Sequence, residues 1–209
     1  MTQSKVSFSP VLLTSDLFQK AAEMSARAFF TDPMGAYWVP DERKRLGKLT
    51  AFFKAWLKCA HGYAITYTVP GTADGTAMWF PPGVTDIPFS RTLLSGQYFA
   101  AIGFGWQGFS NYRAFNSVIE TVQQEKMPEP HWYLSDLSTD PSRQGQGIGT
   151  ALMKPVLDRA DAAGMPCYLE TMTEKNVAFY MKRGFKVAWE GSLPKAGPKV
   201  WAMCRDPQR

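Results

Sequence analysis

The chain has few of the residues that bind metals or form disulfides. Its 209 residues include three cysteines and two histidines. Cys59, Cys167 and Cys204 lie far apart, and an odd number of cysteines argues against a disulfide framework. Together with His61 and His131 they form no zinc-binding spacing, so the sequence predicts no metal site. Because free cysteines are typical of a reducing compartment, we expect a cytoplasmic protein.

Long apolar runs and long basic runs are also missing. The longest apolar candidate, residues 92–109, is interrupted by serine, glycine and glutamine, so we predict no transmembrane helix. Residues 1–16 lack the charged, apolar and small-residue order of a signal peptide. The formal net charge is only +5, and no cluster of lysine and arginine is long enough for nucleic-acid binding. We therefore expect neither a membrane nor a nucleic acid as partner.

What is present fits one globular domain over residues 1–209. Hydrophobic residues make up 45% and charged residues 20%, which are ordinary values for a folded domain of this length. We divide the chain into residues 1–126 and residues 127–209. The first part contains a helical, glycine-broken segment rich in aromatic residues at about residues 91–126. This segment is either a pair of packed helices, the wall of a pocket, or both.

A glycine-rich loop between a strand and a helix is the most informative feature. Residues 132–139 read as a buried strand, and Gly145, Gly147 and Gly149 then lead into an apolar helical pattern. Glycines leave backbone N–H groups uncovered where the helix dipole is positive. Such a loop binds a phosphate or pyrophosphate without a cationic side chain.

The spacing of this loop disfavours two common phosphate cofactors. In a dinucleotide-binding fingerprint the third glycine would fall at Thr150, although Glu170 stands where a ribose-binding acid is expected. A nucleoside triphosphate loop would need Gly-Lys-Ser/Thr, which is missing here.

Two segments resemble the signatures of the GNAT superfamily, the GCN5-related N-acetyltransferases. Gln144-x-x-Gly147-x-Gly149 resembles its pyrophosphate loop, and residues 176–185, Asn-Val-Ala-Phe-Tyr-Met-Lys-Arg-Gly-Phe, resemble its second signature. Three further segments are similar to puromycin N-acetyltransferase and its uncharacterised relatives: residues 129–134, 168–171 and 197–203. The resemblance implies an α/β (α+β) GNAT fold. In that fold a mixed, mostly antiparallel central sheet has a V-shaped splay between its central strands and is flanked by helices.

The resemblance also implies a function. The expected activity is an acetyl-CoA-dependent N-acetyltransferase that transfers an acetyl group to a primary amine of a small molecule by direct attack in a ternary complex. Residues 1–126 would then form the acceptor side and residues 127–209 the acetyl-CoA-binding half. A protein or peptide N-acetyltransferase and a non-catalytic acyl-CoA-binding or sensing domain are the alternatives. The sequence distinguishes neither one amine from another nor a monomer from a homodimer.

Specific residues take roles through the same resemblance. The expected cofactor site consists of a strand end, the loop and one asparagine: Leu137, Ser138, Thr139, Arg143, Gln144, Gly145, Gln146, Gly147, Ile148, Gly149, Thr150 and Asn176. Arg143 is either a ligand of a coenzyme A phosphate or a solvated surface residue. Tyr180 follows Asn176 by one helical turn and is the expected acid for the departing thiolate, or else a core tyrosine. Glu170 ends a strand and is the expected base, directly or through water, or else it satisfies loop N–H groups.

The acceptor pocket is the least defined part of the expected site. Strand alternation places Tyr133, Ser135 and Leu137 on one face and Asp136 on the other, with Trp132 and Leu134. If Leu137 faces the cleft, Tyr133 and Ser135 on the same face line the acceptor side. The expected pocket residues are Phe30, Tyr37, Trp79, Tyr133 and Ser135.

Overall fold

The structure, a computed structural model, describes residues 8–84 and 87–208. The expected domain also includes residues 1–7, 85–86 and 209, which lie outside the described residues. The strands are β1 (Val11–Leu12), β2 (Ile65–Thr68), β3 (Gly75–Phe80), β4 (Trp132–Thr139), β5 (Cys167–Thr171), β6 (Lys186–Ser192) and β7 (Lys199–Arg205). The α-helices are α1 (Phe18–Ala28), α2 (Pro33–Trp38), α3 (Glu42–Ala60), α4 (Phe89–Leu94), α5 (Gln97–Ile102), α6 (Gly105–Lys126), α7 (Ile148–Ala162) and α8 (Glu174–Met181).

The seven strands form one mixed sheet in the order β1-β2-β3-β4-β5-β7-β6. Neighbouring strands are antiparallel except β4 and β5, which are parallel. The parallel ladder pairs Trp132–Leu134 with Cys167–Leu169 and ends there. Beyond Leu134, β4 continues to Thr139 beside β3 alone. The expected splay between the central strands therefore begins after three residue pairs.

A β-bulge in β4 changes which side chains share a face. Met78 of β3 pairs with Asp136, and Trp79 pairs with Leu134, so Ser135 is the additional residue on β4. A bulge of one residue reverses the alternation of side chains for the rest of the strand. Regular alternation from residue to residue therefore does not hold across β4.

The reversal corrects the predicted faces of β4. Directly paired residues of antiparallel strands point to the same side of the sheet. Tyr133 pairs with Phe80 and Asp136 with Met78, and both of these β3 residues pack in one core. Leu137 instead pairs with Ala77, which packs in the other core. The prediction that Tyr133 and Leu137 share a face is wrong, and Asp136 shares the face of Tyr133.

Each side of the sheet has its own hydrophobic core. On one side α7 packs on β3 and β4, and Ile148, Leu152 and Val156 are fully buried there. The opposite side is covered by the helices of the first half, with α1 against β3 and β4 and α3 against α1. The sheet thus separates a layer formed mainly by residues 127–208 from a layer formed mainly by residues 8–84 and 87–126.

The helical segment predicted at residues 91–126 consists of three helices, α4, α5 and α6, rather than a pair. Gly108 of α6 lies against the backbone of Trp38, where an added Cβ would overlap the Trp38 carbonyl oxygen. Beside it, Asn111 Nδ2 donates a hydrogen bond of 2.7 Å to the Tyr37 carbonyl. The close approach explains this glycine and joins the insertion to α2. No helix in the described part of the chain is long and apolar enough to cross a membrane.

Candidate active site

The glycine-rich loop has the backbone shape of an anion cradle. Gly145 and Gly147 have φ angles of 82° and 86°, in the left-handed region that favours glycine. Gly147 is also the N-cap of α7, whose first turn leaves backbone N–H groups without intrahelical acceptors. An added Cβ at Gly149 would lie 3.3 Å from Phe179 Cζ, so a longer side chain there would crowd α8. These features fit a pyrophosphate held by backbone N–H groups at the helix N-terminus.

Side chains around the loop mainly hold the loop itself. Arg143 Nη1 forms an ion pair of 2.9 Å with Asp74 Oδ2, and its Nε donates to Gln146 Oε1 at 2.9 Å. Gln144 Nε2 donates to the Thr139 carbonyl at 3.3 Å. Because Arg143 is engaged in this way, the cradle does not depend on a free cationic side chain.

The splay between β4 and β5 fits the arm of coenzyme A. The backbone of Leu137 to Thr139 pairs with β3 on one side and has no ladder with β5 on the other. Ser138 is buried, and its hydroxyl donates to Asp136 Oδ1 at 2.7 Å, so this side chain is occupied. Leu137 and Asn176 line the central cavity. The residues expected to contact the cofactor therefore lie along one path from the glycine loop to the cavity.

Tyr180 reaches the cavity from the other side of the sheet. Thr173 N-caps α8 by accepting a hydrogen bond from the Asn176 N–H at 3.2 Å, which sets the start of this helix. Tyr180 packs in the core on the α7 side and also lines the cavity. Burial raises the pKa of its hydroxyl, and the negative charge of Asp136 raises it further. The hydroxyl is therefore protonated at neutral pH and can donate a proton.

Glu170 lies where β5 separates from β4. Its Oε2 accepts a hydrogen bond of 3.0 Å from Tyr133 Oη. Its Oε1 is buried and has no hydrogen-bond partner within residues 8–84 and 87–208. Burial raises the pKa of this carboxyl to about 7, partly offset by the hydrogen bond from Tyr133. A carboxyl with this pKa can accept a proton near neutral pH.

Asp136 is a site residue that sequence analysis missed. The bulge at Ser135 turns it to the face of Tyr133, and it lines the cavity while only 9% exposed. Burial raises its pKa to about 6, and the nearby charge of Asp32 adds to the increase. The one signal available in the sequence is a carboxylate inside a strand that is otherwise buried.

One cavity of about 820 Å³ joins these groups to the helices of the first half. Its aromatic wall comes from the residue after α1 and from α3, β3 and α6: Phe29, Phe52, Phe53, Trp56, Phe80, Tyr112 and Phe115. Phe80 stacks on Tyr133, with ring centroids 6.2 Å apart. A concave site with an apolar wall and a few polar groups is typical of small-molecule binding.

The expected acceptor residues fall into two groups. Tyr133 and Ser135 line the cavity. Trp79 does not, because it is fully buried on the α7 side of the sheet. Tyr37 donates its hydroxyl to the Pro194 carbonyl at 2.9 Å, and Phe30 lies under the guanidinium of Arg45.

Three of the expected acceptor residues are thus corrected. Phe30, Tyr37 and Trp79 are outside the cavity wall, whereas their neighbours Phe29 and Trp38 contribute to it. At these three positions the sequence indicates the right segment, but a neighbouring residue of the segment faces the cavity. An aromatic residue is as useful in a core as in a pocket, so its type alone does not assign it to either.

The comparisons with known proteins agree with this architecture. The family described as "Acetyltransferase (GNAT) family" matches residues 94–185. An uncharacterised N-acetyltransferase of Schizosaccharomyces pombe is 25% identical over 201 residues, covering 91% of this chain and 80% of that protein.

Solved structures show the same fold at low sequence identity. The "histone acetyltransferase HPA2 and related acetyltransferase" from Corynebacterium glutamicum has a TM-score of 0.66 at 22% identity, covering 97% of this chain and 98% of that one. A polyamine N-acetyltransferase of Drosophila melanogaster has a TM-score of 0.59 at 12% identity, covering 94% and 99%.

The fold and the matched segment point in the same direction. The mixed seven-stranded sheet with flanking helices is the GNAT fold, as expected from the two signatures. Residues 94–185 of the chain are similar to the acetyltransferase (GNAT) family, and the Schizosaccharomyces pombe relative is named an N-acetyltransferase. Enzymes of this superfamily take their acetyl group from acetyl-CoA.

Proposed function

We propose that this protein is an acetyl-CoA-dependent N-acetyltransferase that acetylates a primary amine of a small molecule in a ternary complex. The observation that carries the proposal is the meeting of two different proton-transfer groups in one cavity. Tyr180 arrives from the cofactor side and Glu170 from the end of β5, and both line the cavity at the splay. The glycine cradle at the start of α7 supports acetyl-CoA as the cofactor.

The cofactor, when bound, supplies the acetyl group and a thiolate leaving group. Backbone N–H groups of residues 144–150 would hold its pyrophosphate, and Leu137 to Thr139 together with Asn176 would hold its arm. Glu170 takes one proton from the acceptor ammonium, which leaves a neutral amine able to attack. As the neutral amine displaced the thiolate from the acetyl group, Tyr180 would donate its proton to the sulfur. The second proton released by the nitrogen would then restore the Tyr180 hydroxyl.

Direct attack is favoured over transfer through the protein. A covalent route would need a nucleophile in the cavity, and cysteine is the usual choice for a thioester. Cys59, Cys167 and Cys204 are absent from the cavity wall formed by residues 8–84 and 87–208. Burial raises the pKa of Cys167 to about 12, so its thiol is unreactive at neutral pH.

The helices that enclose the cavity favour a small acceptor. α6 contributes Tyr112, Phe115 and Glu120 to the wall, and α5 packs between α3 and α6. The named neighbours include both a histone acetyltransferase relative and a polyamine acetyltransferase, so their names do not decide the acceptor. The resemblance to puromycin N-acetyltransferase that we predict from the sequence of residues 129–134, 168–171 and 197–203 also favours a small acceptor. Three free cysteines support cytoplasmic action.

Steady-state kinetics with free-thiol detection test the proposal. Initial rates are measured while acetyl-CoA and a small amine are varied together. We expect intersecting double-reciprocal lines, whereas parallel lines would contradict direct attack in a ternary complex. Rapid acetylation of peptides with none of small amines would favour the protein-acetyltransferase alternative. Acetyl-CoA binding without any thiol release would favour the non-catalytic one.

Replacing the acid tests its role separately. Tyr180→Phe removes only the hydroxyl and keeps the ring in the core. We expect kcat to fall by about 100-fold, at the low end for general acid–base catalysis, because a thiol of pKa near 8.5 leaves fairly well without help. The Kd of acetyl-CoA should stay the same. An unchanged kcat would refute the acid role of Tyr180.

A further inference from the structure

The charge of the cavity is opposite to that of the chain. The whole chain carries a formal net charge of +5. The cavity wall instead contains five carboxylates: Asp32, Glu120, Glu129, Asp136 and Glu170. Lysine and arginine are absent from this wall as far as residues 8–84 and 87–208 form it. Burial lowers the pKa of His131, so that side chain is neutral at pH 7. The cavity therefore attracts cations and repels anions.

The carboxylates occupy two zones of the cavity. Glu120 and Glu129 are exposed, whereas Asp136 is only 9% exposed. Glu170 Oε1 is buried and lacks a hydrogen bond among the described residues, and the buried Tyr168 hydroxyl, which also lacks one, is the nearby donor that lowers the pKa of Glu170. A buried carboxylate oxygen without a partner costs free energy, which a cation or hydrogen-bond donor in the cavity would offset. The inner zone thus has the chemistry to bind an ammonium.

Asp32 and Asp136 form the part of this inner zone beside Tyr180. Both carboxyls have local hydrogen bonds: Asp32 Oδ1 accepts from the Met34 N–H at 2.8 Å, and Asp136 Oδ1 accepts from Ser138 Oγ at 2.7 Å. The hydroxyl of Thr76 is a second hydrogen-bonding neighbour that lowers the pKa of Asp136. Burial raises the pKa of both carboxyls, and both charges act on the hydroxyl of Tyr180. A cation in the cavity beside these two carboxyls would offset the negative charge that they add near Tyr180.

The rest of the cavity suits an apolar group rather than a polar chain. The rings of Trp56 and Phe80 lie 6.0 Å apart, and those of Phe29 and Phe53 lie 5.1 Å apart. All four rings line the cavity. Aromatic walls stabilise an aromatic or similarly broad apolar ligand through burial and edge or stacking contacts.

We propose, on the basis of the function proposed above, that the acceptor is a primary amine that enters as a cation, carries an aromatic-sized apolar body and has no carboxylate. Its ammonium binds to Asp136 and Asp32, and its body lies against the aromatic wall. Asp136 and Asp32 are therefore specificity-determining residues, and Glu170 remains the base. The acceptor class follows from the sign of the cavity charge together with the aromatic wall.

A matched pair of amines tests the acceptor class. Phenethylamine and phenylalanine share the ring and the amine, and phenylalanine adds a carboxylate. We expect kcat/KM for phenethylamine to exceed that for phenylalanine by about 100-fold, because like charges in a buried site repel strongly. It should exceed that for ethanolamine, which has no apolar body, by on the order of tenfold. Equal or better use of phenylalanine would overturn the inference.

Two conservative variants test the ammonium site. Asp136→Asn and Asp32→Asn each keep an oxygen for the local hydrogen bond and remove the charge. We expect each to raise the Michaelis constant for phenethylamine by about tenfold, while Glu125→Gln, on the exposed surface of α6 outside the cavity, changes nothing. Unchanged Michaelis constants in both aspartate variants would overturn the assignment of the ammonium site.

Calorimetry separates this inference from the proposed function. Phenethylamine and phenylalanine are titrated into the cofactor-free protein and into Asp136→Asn. Binding of phenethylamine alone, weakened by the substitution, supports the inference, and equal affinity for the two amines overturns it. Failure of acetyl-CoA to bind, with no thiol release from any amine, would instead overturn the proposed function.

Discussion

The two halves of the site differ in the groups that form them: backbone in one half and side chains in the other. On the proposed cofactor side, the cradle and the arm site consist mainly of backbone: left-handed glycines, a helix N-terminus and a strand edge. On the proposed acceptor side, the cavity consists of side chains from α2, α3, α6, β4 and the segment between α1 and α2. Backbone sites tolerate changes of side chain but not of backbone shape. Side-chain sites are sensitive to changes of side chain and less sensitive to changes of backbone shape. This contrast can be tested with single substitutions.

The largest expected effect is on the acceptor side. Glu170→Gln removes the base while the side chain keeps its size and can still accept the hydrogen bond from Tyr133. We expect kcat to fall by about 10²- to 10⁴-fold, the usual contribution of a general base. Calorimetry should give an unchanged Kd for acetyl-CoA, and Glu125→Gln should keep the wild-type kcat. A change of less than about threefold in kcat would remove Glu170 from the mechanism.

The second expected effect is a loss of activity in acid. Glu170 acts as a base only when ionised, and its pKa is about 7. As the pH falls below about 7, kcat/KM should therefore decrease about tenfold per pH unit, since kcat/KM reports the ionisation of the free enzyme. Protonation of Asp136, with a pKa of about 6, should steepen the decrease below pH 6.

A pH–rate profile of the Glu170→Gln variant provides the control. Its residual activity should lose the inflection near pH 7 and retain the one near pH 6. If the inflection near pH 7 persists in this variant, the titrating group is not Glu170.

The third effect concerns backbone shape on the cofactor side. Gly147→Ala places a side chain at a φ of 86°, which strains the loop by about 1–2 kcal/mol. We expect the Kd of acetyl-CoA to rise by roughly tenfold, which corresponds to about 1.4 kcal/mol. The Michaelis constant for the amine should be little affected.

A second glycine gives the matched control for that variant. Gly47 lies inside α3, where an added Cβ meets nothing within 4 Å. Gly47→Ala should raise the free energy of unfolding by about 0.5–1 kcal/mol through helix propensity and leave the Kd of acetyl-CoA unchanged. Equal effects of the two substitutions on acetyl-CoA binding would contradict a role for the left-handed conformation at Gly147.

The smallest effect is expected for a side chain on the cofactor side. Arg143 is already paired with Asp74 and bonded to Gln146, and its side chain is 38% exposed. Arg143→Ala should therefore change the Kd of acetyl-CoA by less than about fivefold, equivalent to roughly 1 kcal/mol. A loss of 100-fold or more would show that the cradle relies on this cation, and the contrast between the two halves would fail.

The same contrast explains how far the sequence could predict this protein. The glycine loop and the strand that precedes it are local features, and the structure contains both of them. The GNAT fold was implied by the resemblance of two short segments to known signatures. These features are readable because neighbouring residues in the chain produce them.

The acceptor side was not predictable in the same way. Asp32 and Asp136 are distant in the chain, and their charges meet only after β4 packs against α1. The bulge at Ser135 arises from pairing with β3 and reverses the faces that alternation predicts. Trp79 was misplaced because an aromatic strand residue fits either face of a sheet that is covered on both sides.

The most direct test is a calorimetric titration of acetyl-CoA into the wild-type protein and into the Asp136→Asn, Glu170→Gln double variant. If backbone forms the cofactor site, both proteins should bind acetyl-CoA with Kd values within about twofold, a difference of roughly 0.4 kcal/mol. NAD should give no binding heat with either. Binding of NAD without binding of acetyl-CoA, or loss of acetyl-CoA binding in the double variant alone, would contradict the account.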